Sequence, residues 1–296
     1  MKLSKKTSLE HTSLENKVNE MIDKMEKKDK YKKVMVTSDY HIPYMNKDSY
    51  EIMKGYAKDY KPDIFVINGD LIDLYSVSKF DKSPDRKFKV NDEVTQAKHI
   101  LKNLRSSLGK NVEMYYLEGN HENRLQKWLW RNPEMDGLEA LKIPELLKLK
   151  KYDINWIGVD SDYWSVTTGH LRTGNTIVMH GDARLNGASL SKYAGYSVKN
   201  TMLNGLQSNV VIGHNHRLAQ INHRTANSLL QGAESGCLCQ LTGFANWQNG
   251  FVTYELVNNE MVNLRTHLIK DNKMYEQGFV YENMEVAKKR HARKRK

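Results

Sequence analysis

The chain has 296 residues, of which 39% are hydrophobic and 27% are charged, a composition that excludes a collagenous or broadly disordered protein. Its formal charge of +11 lies at the two ends. Residues 1–33 contain ten Lys and six acidic residues, and residues 288–296 contain seven basic residues and no acidic one. Residues 34–287 contain 29 basic and 29 acidic residues. Net charge therefore gives no argument that the body binds nucleic acid.

The sequence lacks the features of a membrane or secreted protein. It contains no apolar stretch of signal-peptide length near its first residues and no run of about 18 apolar residues, the length that a membrane-spanning helix needs. Cys237 and Cys239 stand too close for an unstrained disulfide and are too few for a four-thiolate zinc site. We therefore expect a cytoplasmic protein without membrane contact.

Apolar residues recur every three or four positions near the N-terminus. They are Leu14, Val18, Met21 and Met25. The spacing predicts an amphipathic helix that ends near residue 30. Two interpretations stay open: the helix packs on the domain, or it forms a short coiled-coil seam that makes a homo-oligomer. We assign residues 1–33 to an N-terminal helical extension.

From residue 34 onward, short β-rich runs each end in polar residues and glycine. The five runs are 34–37, 63–67, 112–117, 176–179 and 209–212. Helical periodicity at Ser49–Tyr60 and Asp92–Ser107 separates the first three. This order predicts strand-helix-strand units in a largely parallel sheet, in which ligands bind beyond the carboxyl ends of the strands.

The region 218–270 differs, because it contains short strands and no long helix. Turn signals at Asn249-Gly250 and Asn258-Asn259 predict a second, antiparallel-leaning sheet there. Residues 271–296 end in a run of Lys, Arg and His that cannot be buried, so we expect a solvated basic tail. The central domain is predicted to span residues 34–270.

Residues with metal-ligating side chains follow all five β-rich runs. They are Asp39, His41, Asp70, Asn120, His121, His180, His214 and His216. Imidazole, carboxylate and amide groups suit first-row divalent metals, of which Mn is our first expectation and Fe, Zn and Ni are alternatives. Residues two apart on a strand point to the same side, so Asp39 with His41, and His214 with His216, are each expected to offer two ligands to one crevice.

The same residues form motifs that resemble the five signature motifs of the calcineurin-like metallophosphoesterases. These motifs are Asp39-x-His41, Gly69-Asp70-x-x-Asp73, Gly119-Asn120-His121-Glu122, His180-Gly181 and Gly213-His214-x-His216. The resemblance covers about residues 34–270. It implies an α/β protein with the metallophosphoesterase fold, a four-layer α/β/β/α sandwich of two mixed sheets.

The resemblance also implies a role for each motif residue. The ligands of one metal would be Asp39, His41 and His216, those of the other Asn120, His180 and His214, and Asp70 would bridge both. His121 would assist the leaving group and Glu122 would orient His121. Arg124 would neutralise a phosphate or buttress the loop. For Glu122 and Arg124, a loop-stabilising ion pair is the alternative.

Two bound cations explain why such a site hydrolyses phosphate esters. Cations about 3.5–4 Å apart lower the pKa of a bridging water and align the resulting hydroxide for in-line attack on phosphorus. The two carboxylates of Asp39 and Asp70 leave positive charge for the substrate. The sequence therefore predicts a dinuclear metal-dependent phosphoesterase.

The substrate is predicted from a position at which this chain differs from one branch of the family. Protein Ser/Thr phosphatases carry a phosphate-clamping Arg in the second motif where this chain has Leu74, which favours a phosphodiester of nucleic acid or a nucleotide, as in the SbcD-type nuclease branch. Arg124, Trp128 and Arg131 follow helical spacing and are expected to stack a base and hold phosphates; the alternative places Trp128 in the buried stripe of that helix. A phosphomonoesterase and a non-catalytic interaction module remain the alternative functions.

Overall fold

Two β-sheets pack face to face, and helices cover both outer sides. The computed structural model describes residues 31–135, 137–158, 169–182, 191–242 and 246–283. The strands are β1 (Tyr31–Thr37), β2 (Ile64–Asn68), β3 (Glu113–Leu117), β4 (Ile154–Ile157), β5 (His170–Thr173), β6 (Thr176–Met179), β7 (Asn209–Ile212), β8 (Leu218–Arg224), β9 (Leu229–Ser235), β10 (Asn249–Val257), β11 (Glu260–Ile269), β12 (Lys273–Glu276) and β13 (Phe279–Glu282). The α-helices are α1 (Lys47–Tyr60), α2 (Val90–Leu108), α3 (Asn123–Arg131), α4 (Ile143–Leu146) and α5 (Tyr196–Asn200).

The larger sheet has six strands in the order β11-β10-β1-β2-β3-β4. Strands β1 to β4 are parallel, and β10 pairs with β1 in antiparallel register. The smaller sheet has five strands in the order β5-β6-β7-β9-β8, of which β6, β7 and β9 are parallel. The parallel strands of each sheet bring their carboxyl ends to one edge.

Side chains alternate between two cores along β1. Val34 and Val36 face the apolar layer between the sheets, while Met35 faces the layer beneath α1 and α2. A third apolar cluster joins α5 to the outer face of the smaller sheet, through Val198 and Ile177 among others. These layers confirm the predicted four-layer sandwich of two mixed sheets.

The two predicted long helices are confirmed, and each begins two residues earlier than expected. At the start of α1, the side-chain oxygen of Asn46 accepts hydrogen bonds from the backbone N–H groups of Asp48 and Ser49. The helix ends at Tyr60, because the next residue, Lys61, has a left-handed backbone and precedes Pro62. None of the helices that the structure describes has the length and apolar character to cross a bilayer.

The assignment of residues 218–270 to a separate second sheet is wrong in part. Strands β8 and β9 do lie in the smaller sheet, but β10 and β11 extend the larger one, because Val252 and Tyr254 of β10 complete the apolar layer between the sheets beside β1. The Asn258-Asn259 turn is confirmed between β10 and β11. Asn249 and Gly250, in contrast, open β10 and form no turn.

The predicted tail begins later than residue 271. Strands β12 and β13 form an antiparallel hairpin in which Met274 is buried and Tyr281 packs against the core beside α1. The packing of Met274 and Tyr281 against this core explains why the segment is folded. The predicted N-terminal helix before residue 31 and the basic run 288–296 lie outside the described residues.

Candidate metal centre

The predicted ligands lie where strands of both sheets end. Loops after β1, β2 and β3 supply them from the larger sheet, and loops after β6 and β7 supply them from the smaller one. Five of these residues have left-handed backbone conformations: Asp39, His41, Asp70, His214 and His216. Such conformations are uncommon for residues other than glycine and cluster at functional sites. The pairs Asp39/His41 and His214/His216 therefore converge through tight turns, and not through the strand alternation that we expected.

Three residues form the first ligand group. The Nε2 atom of His216 lies 3.2 Å from Oδ1 of Asp39, and the Nε2 atoms of His41 and His216 are 2.9 Å apart. Oδ1 of Asp39 also lies 3.7 Å from Nε2 of His41. The three side chains are almost fully buried. This grouping matches the first predicted metal site.

The second ligand group lies beside the first. The Nε2 atom of His180 is 3.3 Å from Oδ2 of Asp70, and Oδ1 of Asn120 lies 3.1 Å from that nitrogen and 2.7 Å from Nδ1 of His214. Oδ2 of Asp70 also lies 3.7 Å from Nε2 of His41, which belongs to the first group. Asp70 therefore occupies the shared position that the bridging role requires.

The residues of both groups fit divalent cations. Oδ1 of Asp39 is buried and accepts no hydrogen bond from any residue that the structure describes, although two imidazole nitrogens face it. Buried carboxylate oxygens are rarely left without a partner, and a cation would satisfy this one. The set of imidazole, carboxylate and amide donors suits first-row divalent metals and does not by itself distinguish among them.

Opposite charges within the groups shift the pKa values of their members. Burial alone would raise the pKa of Asp39, but the imidazoles of His216 and His41 hold it well below its usual range. Burial alone would lower the pKa of His216, but the Asp39 carboxylate raises it to about 9. In the same way Asp70 raises the pKa of His180. Among the four histidines of the two groups, only His214 has a lowered pKa, because burial and the charge of His180 act in the same direction.

Groups around the ligands fix their orientation. The Nδ1 atom of His180 lies 2.8 Å from the carbonyl oxygen of Asn68, and Oδ2 of Asp39 accepts a hydrogen bond of 2.9 Å from the backbone N–H of His214. The Sγ atom of the buried Cys239 is 3.8 Å from Nδ1 of His216. Partners on the second ring nitrogen fix the tautomer of a metal-ligating histidine. Sequence reasoning considered the cysteines only as zinc or disulfide residues and missed this contact.

Close backbone approach explains the glycine of the last motif. A Cβ atom built on Gly213 would lie 2.1 Å from Oγ of Ser38 and 2.9 Å from Oδ2 of Asp39. No side chain fits at that distance, so the loop that carries His214 can approach Asp39 only with glycine at this position.

His121 lies at the rim of the two ligand groups. Its backbone N–H donates to Oδ1 of Asp70, and its Nε2 atom lies 3.7 Å from Oδ2 of the same residue. The Nδ1 atom is 3.0 Å from both the carbonyl oxygen and Oδ1 of Asp73. Arg124 donates to the same carbonyl and to Nε2 of His121. His121 therefore faces Asp70, and its contacts with Asp73 and Arg124 hold its imidazole ring in place.

The structure does not place Glu122 against the His121 ring. The Glu122 carboxylate accepts hydrogen bonds from the backbone N–H groups of Asp70, Ile72 and Gly119, and from the hydroxyl of Tyr116. It thus holds the second and third motif loops together, as the loop-stabilising alternative expected, but through these hydrogen bonds and not through an ion pair. The carboxylate that does contact the His121 ring is Asp73, a member of the second motif to which the sequence reasoning gave no role.

A cleft of about 500 Å³ opens beside the second ligand group. We call it the flanking cleft. Asn120 borders the cleft, and the other side chains that line it include Lys79, Phe80, Arg124, Lys127, Trp130 and Arg131. Arg131 therefore lines the cleft that Asn120 borders. Trp128 instead packs against the core with Leu125 and Leu129, which is the buried-stripe alternative. The spacing of Lys127, Trp130 and Arg131 marks the opposite helix face and could have identified Trp130.

The chain is similar to known proteins over most of its length. The model of the calcineurin-like phosphoesterase family matches residues 32–235, which include all seven ligand residues. The Gene 54 proteins of Mycobacterium phages L5 and D29 are each 26% identical to the chain, over 74% of its length and 87% of theirs. Among solved structures, Vps29 of Entamoeba histolytica complexed with zinc matches 84% of this chain and 95% of its own, at 12% identity and a TM-score of 0.40. Vps29 of Cryptosporidium parvum matches 84% of this chain and 94% of its own, at 15% identity and a TM-score of 0.39.

The match of the family model over more than half of the chain, with its ligand residues gathered in two buried groups, shows that the chain belongs to the calcineurin-like phosphoesterase family.

Proposed function

We propose that this protein is a hydrolase that cleaves phosphodiester bonds of nucleic acid or nucleotides with two divalent metal ions. The observation that carries the proposal is the pair of ligand groups that share Asp70 at the border of a cationic cleft. Asp39, His41 and His216 would hold one ion, Asn120, His180 and His214 the other, and Asp70 both. The bound ions would supply an activated water and stabilise the charge that develops on the phosphoryl oxygens.

The residues of the chain supply the remaining functions. Two carboxylates are too few to neutralise two dications, so the centre attracts an anionic ester. His121 faces the shared carboxylate, and its Nε2 atom would carry the proton for the departing oxygen once Arg124, which donates to this nitrogen in the structure, has turned to the substrate phosphate. Arg124, which hydrogen-bonds His121 and lines the flanking cleft, would bind a phosphate oxygen.

The loop after β2 favours a diester over a monoester. Leu74 occupies the position of the clamping Arg of protein Ser/Thr phosphatases and is completely buried. Its backbone N–H donates a hydrogen bond of 2.6 Å to the buried Glu93 on α2, so the loop is fixed with an apolar side chain turned away from the substrate. The Arg contact that would clamp a dianionic monoester is therefore missing from this side.

One assay series tests the proposal. The chain is loaded with Mn²⁺, and hydrolysis of bis-p-nitrophenyl phosphate, a diester, is compared with that of p-nitrophenyl phosphate, a monoester, with and without EDTA. We expect hydrolysis that requires the metal and prefers the diester. A preference for the monoester would contradict the substrate class, and no metal-dependent hydrolysis of either ester would contradict the activity.

Two variants test the ligand assignment. Asp70→Asn and His214→Ala should lose metal and at least about 10²-fold in turnover while keeping the fold, since these residues end strands and lie outside the apolar core. The matched controls Asp85→Asn and His99→Ala change exposed residues away from the centre and should behave like the parent protein. If Asp70→Asn bound two metals per chain and retained turnover, the assignment would be wrong.

A further inference from the structure

The geometry of the flanking cleft points to a nucleotide-binding subsite for an unpaired nucleic-acid strand. The nucleotide beside the scissile phosphodiester would place its base on Trp130 and Phe80 and its phosphate on Lys127 and Arg131. This inference rests on the proposed function, because it names the substrate class of the same site.

The flanking cleft lies directly beside the second ligand group. The flanking cleft adjoins Asn120, a ligand of the second group, so a molecule in the cleft is continuous with a phosphate at the metal centre. The volume of about 500 Å³ exceeds what a single phosphate fills and lies within the range of about 300–1,000 Å³ that is usual for small-molecule sites. The cleft therefore has room for a nucleoside next to the bond that is cut.

The flanking cleft is rich in positive charge. Four of the lining side chains are cationic: Lys79, Arg124, Lys127 and Arg131. Within the described ranges, Lys79, Lys127 and Arg131 form no ion pair with a carboxylate, and Arg131 instead donates to the carbonyl oxygens of Lys127 and Val77. Lys127 and Arg131 of α3, with Lys79 of the loop after β2, therefore gather uncompensated positive charge in one cleft, which suits a ligand that carries repeated negative charge.

Two exposed aromatic rings line the flanking cleft. Phe80 is 58% exposed and Trp130 is 49% exposed, and both rings border the cleft that holds the cations. The guanidinium of Arg124 lies 6.0 Å from the centre of the Phe80 ring. Aromatic and guanidinium planes beside phosphate-binding cations are the surfaces on which single-stranded nucleic acids stack their bases.

Base accessibility selects the unpaired strand. Each base inside a duplex is covered on both faces by its neighbours, so it cannot also stack on Trp130 unless it leaves the helix. A single strand exposes its base faces without that cost. The subsite therefore favours single-stranded DNA or RNA over a duplex.

Binding measurements test the subsite. The ligand is a fluorescent 12-nucleotide phosphorothioate strand, which resists hydrolysis, and the full-length chain is used with its metals. We expect Trp130→Ala to weaken binding about tenfold or more. Arg131→Gln should reduce the slope of log affinity against log salt by about 0.7, the value for one lost phosphate contact with a single strand. A duplex of the same sequence should bind more weakly than the strand.

Matched controls separate the cleft from general surface effects. Tyr275→Ala removes an aromatic ring that is 69% exposed on β12, and Arg224→Gln removes an exposed guanidinium on β8; neither residue lines the cleft. Both should bind the strand like the parent chain. If Trp130→Ala bound within twofold of Tyr275→Ala, or if the duplex bound more tightly than the strand, the subsite assignment would be overturned.

The outcomes also distinguish the subsite from the activity. If the chain hydrolyses no diester but Trp130→Ala still loses affinity for the strand, the proposed function fails and the subsite stands. If the chain hydrolyses bis-p-nitrophenyl phosphate and Trp130→Ala binds the strand normally, the subsite fails and the proposed function stands.

Discussion

The candidate ligand residues are predicted to exchange protons for metal ions. His216 has a pKa of about 9 because Asp39 faces it, so at neutral pH this imidazole carries a proton when no metal is bound. A metal binds only the neutral imidazole, and the proton must leave first. The Asp39 carboxylate thus serves either cation, the imidazolium or the metal, which explains how a buried pair of this kind is stable in both states.

Metal uptake is therefore predicted to release protons. At pH 7.5, which lies below the pKa of His216, binding of Mn²⁺ should release at least about one proton per chain. The release should decrease as the pH rises through 9, where the imidazole is already neutral, and the apparent metal affinity should rise over the same interval. Titration calorimetry in two buffers of different ionisation enthalpy measures the proton count. Equal binding heats in both buffers would contradict this prediction.

His121→Ala is predicted to separate metal binding from turnover. His121 contacts Asp70 through its backbone N–H and lies at the rim, so the variant should still bind both metals. Loss of a general acid should slow hydrolysis by about 10²–10⁴-fold. The loss should be smaller for p-nitrophenyl esters than for alkyl esters, because p-nitrophenolate leaves without a proton. Equal losses for both leaving groups would show that His121 positions the substrate instead.

At the scale of elements, the strands and helices were predictable but their grouping into sheets was not. The runs 176–179 and 209–212 coincide with β6 and β7, because local β-rich composition and flanking glycines define them. No local pattern distinguishes whether β10 pairs with β1 or with β9, since pairing depends on residues more than 200 positions apart. Likewise, the motif residues were predictable from their chemistry, whereas the left-handed turns that orient Asp39 and His214 appear only in the fold.

The loop after β7 gives a prediction about backbone approach. Gly213→Ala would place a methyl group against Oγ of Ser38, so the loop that carries His214 must move. We expect a loss of stability of about 1–3 kcal/mol, typical of overpacking, together with weaker metal binding. Gly55→Ala is the control: it adds the same methyl group within α1, where the nearest atom is 3.9 Å away, and should leave stability equal or higher. Thermal denaturation and metal titration of both variants measure the difference, and identical behaviour would contradict the prediction.

At the scale of the whole molecule, positive charge is concentrated in particular regions and is not spread evenly over the chain. Residues 34–287 carry equal numbers of basic and acidic side chains, yet the flanking cleft gathers four cations beside a metal centre built from both sheets. The attraction for an anionic substrate therefore comes from local placement within a neutral body. The basic excess lies instead in residues 1–33 and 288–296, outside the segment that holds the ligands.

This separation predicts that the two ends affect polynucleotide binding and leave small-substrate hydrolysis unchanged. A shortened chain of residues 31–287 retains the hairpin of β12 and β13 and every proposed ligand, which all lie between Asp39 and His216. It should hydrolyse bis-p-nitrophenyl phosphate at the full-length rate. If the ends contact phosphates, its affinity for long DNA or RNA should fall, and the slope of log affinity against log salt should decrease by about 0.7–0.9 for each lost contact. Unchanged affinity and slope would show that the ends bind no polynucleotide and that the flanking cleft alone accounts for binding. A lower rate on the small diester would instead contradict the independence of the catalytic body from its extensions.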